Sequence, residues 1–432
     1  MRAKDLPPVF RELVEVAPEK FKIATFVACC APLGCLATRV RFNYPFDQGL
    51  QAILLQTIIC AEQSGGKSFA RNVESVIMQR QKLRDTEQRR KEQDYRELKQ
   101  KASKTEKLPD APKTTIVCCP VSISIAQLIK RVDAPVRQYG APLTLWTFTE
   151  ELSTATETNK RAFSNIKSIM RTAYDLGSEY GVDYLSDNSY SATVDILYNT
   201  MFCTTPSALD EYMDRKALEG GNVTRTILYE IDSNLGDEAP VFQPLTDKQQ
   251  LIIDNTIVRM MSDTYNESGA IKQEKFIDMR WLYKTVRKWC EEKNTEAVKS
   301  GSKSLGTFFK RSSVSAFRIA ALCYYLYGFE ENKQAESRCK KIYLFMAEVI
   351  LSGLMKKWGG AYDNQISKRM ENIVPLRKNL YNYMTDEFSR EQLEEAIKHL
   401  QLTTTPIVFL SKWNKLGLVR QLENGLFQKV KL

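Results

Sequence analysis

The sequence predicts an α/β fold in which a mostly parallel sheet is flanked by helices. Between about residues 50 and 235, short apolar runs rich in β-branched residues alternate with polar loops and helix-like stretches. The runs are continuous rather than alternating with polar residues, which is typical of strands buried on both faces of a parallel sheet. Helices between such strands provide the crossovers that parallel strands need, so the pattern favours a doubly wound arrangement.

Five strands are predicted in this region, and each is followed by a polar loop. They lie at residues 52–60, 115–119, 143–148, 195–203 and 225–231. Helix-like stretches begin near residue 68, residue 124 and residue 159. Beyond the acidic loop at 232–238 the strand signal disappears, and apolar residues recur at helical spacing.

The length of 432 residues exceeds what one compact core normally holds, so several regions are expected. Residues 6–41 are predicted to be helical. We predict an N-terminal helical collar at 1–49, the sheet domain at 50–235, a helical domain at 236–375 and a winged-helix-like domain at 376–432.

A charged segment at 80–113 is predicted to be a helical insertion in the sheet domain. It contains 12 Lys and Arg against 7 Asp and Glu. Mixed charges at i,i+4 spacing are more typical of a solvated helix than of an arm that binds nucleic acid.

The C-terminal region has the order helix, helix, β-hairpin, which is that of a winged helix. A capping-box pattern at 389–392 predicts a helix through Leu400. Pro406 begins a second predicted helix. Asn-Gly at 424–425 predicts the turn of a hairpin over 418–431.

The composition is that of a globular protein, with 43% hydrophobic and 26% charged residues and a net charge of +10. The basic excess is consistent with a polyanionic partner. His399 is the only histidine, which excludes zinc enzymes with several imidazole ligands and mechanisms that need separate histidines as acid and base. Its position at the end of a predicted helix favours a helix-terminal role.

The ten cysteines include two adjacent pairs and form no C-x-x-C pattern. Most lie in apolar runs, which predicts buried, reduced thiols in a reducing compartment. No apolar leader segment follows Met1, and the apolar stretch 23–37 is shorter than the ~20 residues of a membrane span. We therefore expect a cytoplasmic protein with no membrane partner.

The segment 61–68, AEQSGGKS, lies between the first predicted strand and the following helix and resembles the phosphate-binding motif G-x-x-x-x-G-K-[ST]. Ala61 stands where the motif has its first glycine. Lys67 is expected to reach the β- and γ-phosphates of ATP, and the Ser68 hydroxyl to bind Mg²⁺. Backbone N–H groups of such a loop hold the phosphates, here those of Gln63, Ser64, Gly65, Gly66, Lys67 and Ser68. With the parallel sheet, this motif predicts a P-loop NTPase of the RecA/ASCE-like class.

Polar residues at other strand ends complete the predicted site. Such an enzyme needs a carboxylate at the end of a neighbouring strand; Glu150 is expected to hold Mg²⁺ and Glu151 to act as the base, although these two roles are interchangeable. Thr204 is a candidate sensor of the γ-phosphate. Arg225 is a candidate for stabilising the transition state, in cis or across a subunit boundary. Less supported arginine candidates are Arg311 and Arg318.

A second tetrapeptide, Gly-Ser-Lys-Ser at 301–304, also looks like a phosphate loop. It follows the polar run 291–296, which is no strand. Because the motif requires a strand before it, this segment is rejected as a nucleotide site.

The order of several segments resembles a bacterial family of P-loop proteins that is similar to the helicase-like part of primase-helicase proteins of phages and mobile elements. The resemblance covers about residues 6–330 and rests on 6–13, 18–21, 33–39, 64–68, the charged insertion, 149–151 and 221–225. It implies ATP and magnesium at Lys67, Ser68, Glu150 and Glu151, and a role in replication or mobilisation of element DNA. It also implies partner proteins of the same element, including a primase module.

The leading hypothesis is an ATP-driven motor or switch that acts on DNA and that forms homo-oligomers. The basic residues expected to contact DNA phosphates are Lys412, Lys415, Arg420, Lys429 and Lys431. The alternative is a non-hydrolysing, nucleotide-binding scaffold whose degenerate loop has become structural. A small-molecule kinase is a third possibility, against which the size and the C-terminal pattern stand.

Overall fold

The computed structural model of the chain describes residues 2–102, 108–152, 166–183, 191–232, 236–328, 332–364, 378–400, 402 and 404–430. The chain divides into two compact units, Met1–Asn294 with Thr307–Lys357, and Thr295–Gly306 with Trp358–Leu432. The boundaries predicted after residues 49 and 235 both fall inside the first unit.

The described strands of the first unit belong to three sheets. They are β1 (Val40–Asn43), β2 (Leu50–Gln51), β3 (Gln56–Cys60), β4 (Leu145–Thr149), β5 (Glu179–Val182), β6 (Ala192–Asp195), β7 (Tyr198–Thr204), β8 (Thr226–Glu230) and β9 (Lys275–Phe276). The central sheet has the order β4–β7–β3–β8, with all neighbours parallel. The fold is therefore mixed α/β with a central parallel sheet, as the apolar runs predict.

Helices cover much of the rest of the described chain. The first are α1 (Pro8–Glu15), α2 (Lys22–Leu36), α3 (Phe69–Lys101), α4 (Ile125–Tyr139), α5 (Ile166–Thr172), α6 (Pro206–Tyr212) and α7 (Arg215–Glu219). They are followed by α8 (Asp247–Thr264), α9 (Tyr283–Ser300), α10 (Lys303–Leu326) and α11 (Lys333–Leu354). No helix in these described ranges has the length and apolarity that crossing a bilayer requires.

Helix α2 packs directly on the central sheet, which places the predicted N-terminal collar within the core of the first unit. Gly34 permits this approach, because a Cβ there would lie 2.8 Å from the Ile53 side chain. Asn199 on β7 is buried, and its amide donates to the carbonyl oxygens of Ala31 and Ile53, both at 3.0 Å. These hydrogen bonds tie α2, the strand β7 and the segment before β3 together.

Two strand predictions and one helix prediction need correction. Residues 115–119 form only one parallel bridge, between Cys118 and Trp146, because the buried Asp85 carboxylate accepts the N–H groups of Val117 and Cys118 in place of a full ladder. The predicted strand 195–203 is split: β6 pairs antiparallel with β5, and β7 joins the central sheet. Residues 40–41, predicted helical, begin β1, which pairs with the unpredicted two-residue strand β9.

The charged segment 80–113 does not form a separate helix. Up to residue 101 it continues α3, the helix that follows the segment 61–68. Helix α3 runs for 33 residues from Phe69 to Lys101 and contains the charged segment up to that point. The residues that α3 buries lie in its first half, and most of the second half is exposed. Residues 80–101 are thus helical as predicted, and the helix is mostly exposed from residue 86 on, whereas Gln81 and Asp85 are buried.

The second unit contains the elements predicted for the C-terminus. Its described helices and strands from Lys378 on are α12 (Lys378–Tyr383), β10 (Glu387–Phe388), α13 (Arg390–His399), α14 (Pro406–Lys415), β11 (Val419–Gln421) and β12 (Phe427–Lys429). Ser389 and Gln392 form the predicted capping box. The hairpin β11–β12 turns at Gly425, whose φ is 82°. Phe388, Phe409 and Trp413 lie in the apolar core of this unit.

Candidate functional site

The carboxyl ends of β3, β7 and β4 border one cavity of about 770 Å³. The register places Cys60 beside Thr204 and Thr149 beside Phe202, so the loops that leave these strands meet at one edge of the sheet. The lining consists of Gln63, Ser64, Gly65, Gly66, Lys67, Ser68, Glu150, Glu151, Leu152, Thr204, Thr205, Ser207, Ala208 and Glu211. The structure thus brings the predicted loop residues together with both glutamates and the threonine.

Glu150 and Glu151 lie two strands away from the loop 61–68, further than the predicted neighbouring strand would place them. Strand β7 lies between β3 and β4, so the prediction of an adjacent carboxylate strand is wrong by one strand. Two strand spacings amount to about 10 Å. The cavity occupies the resulting gap.

The loop between β3 and α3 turns sharply at Ser64 and Gly66, whose φ angles are 61° and 76°. Gly65 donates its N–H to the Glu62 carbonyl at 3.0 Å, and a Cβ on Gly65 would lie 2.9 Å from that oxygen. Ala61 is absent from the residues with positive φ, so its Cβ causes no backbone strain at the first motif position. The alanine departs from the motif without disturbing the turn.

Two aromatic residues and a proline from elsewhere in the first unit support the outer side of this loop. A Cβ on Gly66 would lie 2.6 Å from Pro240 and 3.0 Å from the Phe21 ring. Phe21 packs edge-on against Phe69 and Phe242, and the latter two rings stack with their centroids 5.5 Å apart. The segments before α2 and before α8 therefore hold the loop, and no spacing in the sequence indicates this.

Lys67 lies at the cavity wall with its ammonium bound to its own loop. Its Nζ donates to the carbonyl oxygens of Ala61 at 2.8 Å and Glu62 at 2.7 Å. Partial burial lowers the pKa of Lys67 below the usual value of lysine. An incoming phosphate would compete with these two carbonyls for the ammonium.

The two glutamates have different surroundings. Glu150 forms an ion pair with Arg71, which lies in the first turns of α3. Its side chain is 32% exposed, that of Arg71 63%. Glu151 is exposed and makes no ion pair with the residues that the structure describes. Arg71 was missed from the sequence, although it lies in the first turn of α3, three residues after the N-cap Ser68.

Helix α6 adds residues that the sequence did not single out. Ser207 and Glu211 line the cavity beside Thr204. The Thr-Thr-Pro run at 204–206 marks both the strand end and a helix that begins with proline, and this signal was sufficient to place α6 at the cavity.

The charge of the cavity lining favours a metal-bound polyphosphate over a free one. Its ionisable groups are Lys67 and the three carboxylates of Glu150, Glu151 and Glu211. This balance repels a polyanion, and a divalent cation between carboxylates and phosphates reverses it. Among the described residues no cluster of three His, Cys, Asp or Glu could hold a metal by itself, so a cation here would need ligand oxygens as well.

Arg225 does not belong to this site. It precedes β8, and the parallel register pairs Thr226 with Gln56 at the amino end of β3, the full length of the strand away from the loop. The Arg225 side chain lies 3.9 Å from Asp175 and donates to the Gly221 carbonyl. The prediction of a cis role is wrong because residues that open a parallel strand lie at the edge opposite the loop.

The predicted DNA-binding residues of the second unit differ in exposure. Lys412, Lys415 and Arg420 are exposed. Lys429 is half-buried and donates to the Met384 carbonyl, since it pairs with Val419 on the core face of the hairpin. Its ammonium is thus engaged in holding the fold, in contrast to the prediction. Lys431 lies outside the described residues.

The rejected tetrapeptide at 301–304 has a structural role. Helix α9 precedes it, and Asp363 accepts hydrogen bonds from the Ser304 N–H at 2.7 Å and from the Ser304 hydroxyl at 2.8 Å. This segment is therefore the capped start of α10, which confirms its rejection.

No protein-family model matches the chain. No curated protein matches it either.

Proposed function

We propose that the protein is a P-loop NTPase that binds ATP with Mg²⁺ at the carboxyl edge of the central sheet. The observation that carries this proposal is the convergence of Lys67, Glu150, Glu151 and Thr204 on one cavity of about 770 Å³, although they come from three separate segments. This volume suits a nucleotide-sized ligand.

The strand order supports the RecA/ASCE-like class. One strand, β7, is interposed between the loop strand β3 and the glutamate strand β4, and the ASCE class is named for such an additional strand. The bridge between Cys118 and Trp146 places a further parallel segment outside β4. The gap between loop and glutamates leaves room for the terminal phosphates.

We assign the roles as follows. Lys67 binds the β- and γ-phosphates after exchanging its two loop carbonyls for phosphate oxygens. Ser68 and Glu150 hold Mg²⁺, which requires Arg71 to release Glu150, and Glu151 accepts a proton from the attacking water. Thr204 contacts the γ-phosphate.

We further propose that DNA is the substrate on which the NTPase acts. The net charge of +10 and the exposed Lys412, Lys415 and Arg420 of the helix–helix–hairpin unit support a phosphate-binding surface. The resemblance to helicase-like proteins of mobile elements points to the same substrate, with replication or mobilisation proteins as partners. Such a motor or switch acts as an oligomer in this proposal.

The ion pair between Arg71 and Glu150 favours a second candidate, a nucleotide-binding scaffold that does not hydrolyse ATP. With Glu150 neutralised and Lys67 bound to Ala61 and Glu62, both the metal ligand and the phosphate ligand are already engaged. In this candidate the loop is structural and the second unit binds protein.

The experiment is Mg²⁺-dependent ATP hydrolysis with and without single- and double-stranded DNA at two salt concentrations. The wild type is compared with Glu151→Gln and with Glu211→Gln, a matched carboxylate of the same cavity. We expect DNA to stimulate hydrolysis and Glu151→Gln to lower kcat about 100-fold or more while ATP still binds. Glu211→Gln should retain most of the activity.

If the protein binds ATP but hydrolyses it under none of these conditions, the motor is rejected in favour of the non-hydrolysing scaffold. A wild-type protein that does not bind ATP would overturn both candidate functions.

A further inference from the structure

A second cavity of the first unit, of about 590 Å³, shares no lining residue with the predicted phosphate site. We call it the aromatic cavity, because Tyr44, Phe46 and Phe309 line it together with Val314. Phe46 is 58% exposed, so its ring is accessible to a ligand from solvent. Concave sites with such walls suit the apolar body of a small organic ligand.

The ionisable residues that line the aromatic cavity are mainly cationic. They comprise Arg287, Lys310 and Arg311 against the single acid Glu291. Arg287 and Lys310 are exposed and Arg311 is half-buried. A ligand that rests on the aromatic wall would therefore meet an excess of positive charge, which favours an anionic group on that ligand.

Arg311 also belongs to a cluster of arginines at the amino edge of the central sheet. The guanidinium carbons of Arg318, Arg311 and Arg225 lie 4.2, 5.3 and 5.6 Å from the centre of the buried Tyr174 ring. Asp175 contacts all three arginines, at 3.4 to 3.9 Å. One carboxylate thus faces three cations, and the cluster retains an excess of positive charge.

The cluster is electrostatically incomplete within the described residues. The Nε atoms of Arg225 and Arg318 are buried and have no hydrogen-bond partner there. Burial, with the nearby charge of Arg311, lowers the pKa of both groups. Since like charges in a poorly hydrated environment repel strongly, an additional anion near Arg311 would stabilise the arrangement.

We propose that the aromatic cavity binds a small organic anion that combines a flat apolar body with a phosphate or carboxylate group. The apolar body rests against Tyr44, Phe46 and Phe309, and the anionic group is bound by Arg311 with Arg287 and Lys310. Guanidinium groups bind both carboxylate and phosphate in a bidentate manner, so either acid satisfies the site. This site is distinct from the proposed ATP site.

Cys290 provides a local probe, because it lines the aromatic cavity. Cys290 and Cys118 are half-buried, whereas the other eight cysteines are buried. Burial raises the pKa of Cys290, so alkylation with iodoacetamide is best followed at about pH 8.5, where more thiolate is present. The rate at Cys290 relative to Cys118, read by mass spectrometry, reports occupancy of this cavity alone.

The full-length protein is tested with four probes: 1-naphthyl phosphate, 1-naphthoate, 1-naphthol and inorganic phosphate. We expect one or both naphthyl anions to slow alkylation of Cys290 but not of Cys118, and which of them does so identifies the acid. The neutral 1-naphthol and inorganic phosphate should protect Cys290 at least about fivefold more weakly. The first lacks the anionic group and the second lacks the apolar ring. The protection should persist in Lys67→Ala, which separates it from the predicted phosphate loop.

The variant Arg287→Gln/Lys310→Gln removes two exposed cations and should weaken protection by the naphthyl anions about fivefold. Its control, Arg287→Lys/Lys310→Arg, keeps both charges and should protect as the wild type does. Equal protection by 1-naphthol would overturn the anionic requirement. Equal protection by inorganic phosphate, or none by either naphthyl anion, would overturn the proposed ligand class.

Discussion

The two edges of the central sheet present opposite chemistry. At the carboxyl edge, the ionisable residues of the cavity are three glutamates and one lysine, and most of its polar residues follow directly after strands. At the amino edge, three arginines surround Tyr174 and Asp175 and come from residues 225, 311 and 318. Each of the three segments at the first edge follows a strand end and carries a recognisable local pattern, whereas no local pattern marks the arginines of the second edge. A local motif is therefore recognisable in a sequence, whereas a cluster assembled by packing is not.

The largest effect expected is at the carboxyl edge. Lys67→Ala removes the ammonium proposed to bind the terminal phosphates and should lower ATP hydrolysis about 10²- to 10³-fold. Lys303→Ala is the matched control, since Lys303 lies in the similar tetrapeptide that only begins helix α10. An equal loss in both variants, measured as kcat/KM for ATP, would contradict the assignment of the loop.

Arg318→Met tests whether the buried hydrogen bonds at the amino edge stabilise the fold. Arg318 is 1% exposed and donates to the Leu54 carbonyl at 3.0 Å and to Gln51 at 2.8 Å. Its loss leaves these buried acceptors without their donor and should lower the free energy of unfolding by about 3 kcal/mol, measured by urea denaturation.

The control for Arg318 is Arg311→Met, because Arg311 has a 34% exposed side chain and shares the same Asp175. It should cost less than about 1 kcal/mol. A larger effect at Arg311 than at Arg318 would mean that the buried hydrogen bonds do not stabilise this edge.

Gly66→Ala, set against Gly301→Ala, separates the cost of backbone strain from the cost of steric overlap at the loop of the carboxyl edge. Gly66 and Gly301 have similar φ angles, 76° and 66°, but a Cβ meets Pro240 and Phe21 only at Gly66. Gly301→Ala should cost about 1 kcal/mol from strain alone, and Gly66→Ala about 2 kcal/mol or more, with weaker ATP binding. Equal thermal destabilisation of the two variants would show that the aromatic support of the loop is unimportant.

The smallest effect concerns Arg71→Gln. This change frees Glu150 from its ion pair and should leave stability nearly unchanged, since the pair is largely exposed. If Glu150 holds Mg²⁺, the Mg²⁺ concentration for half-maximal hydrolysis should fall severalfold in Arg71→Gln. An unchanged Mg²⁺ dependence would move the metal ligand to Glu151.

Secondary structure was predictable where local signals agreed. The capping box at Ser389, the turn at Gly425 and the helix after the loop are all present. The strand predicted at 115–119 did not form a full strand, because the Asp85 side chain accepts the Val117 N–H in place of a neighbouring strand. The strands β1 and β9 were not predicted either, because whether so short a segment forms a strand depends on the segments that pack beside it.

The amino-acid sequence alone specified the Gly-Gly-Lys-Ser segment and its place between a strand and a helix, because this pattern is local. It also determined that Glu150, Glu151 and Thr204 follow strand ends, which in a parallel sheet predicts a shared edge. Long-range packing was needed to place β7 between the loop and the glutamates and to bring Arg71 to Glu150. It alone placed the arginines around Tyr174, because strand order and long-range packing depend on contacts between segments far apart in the chain.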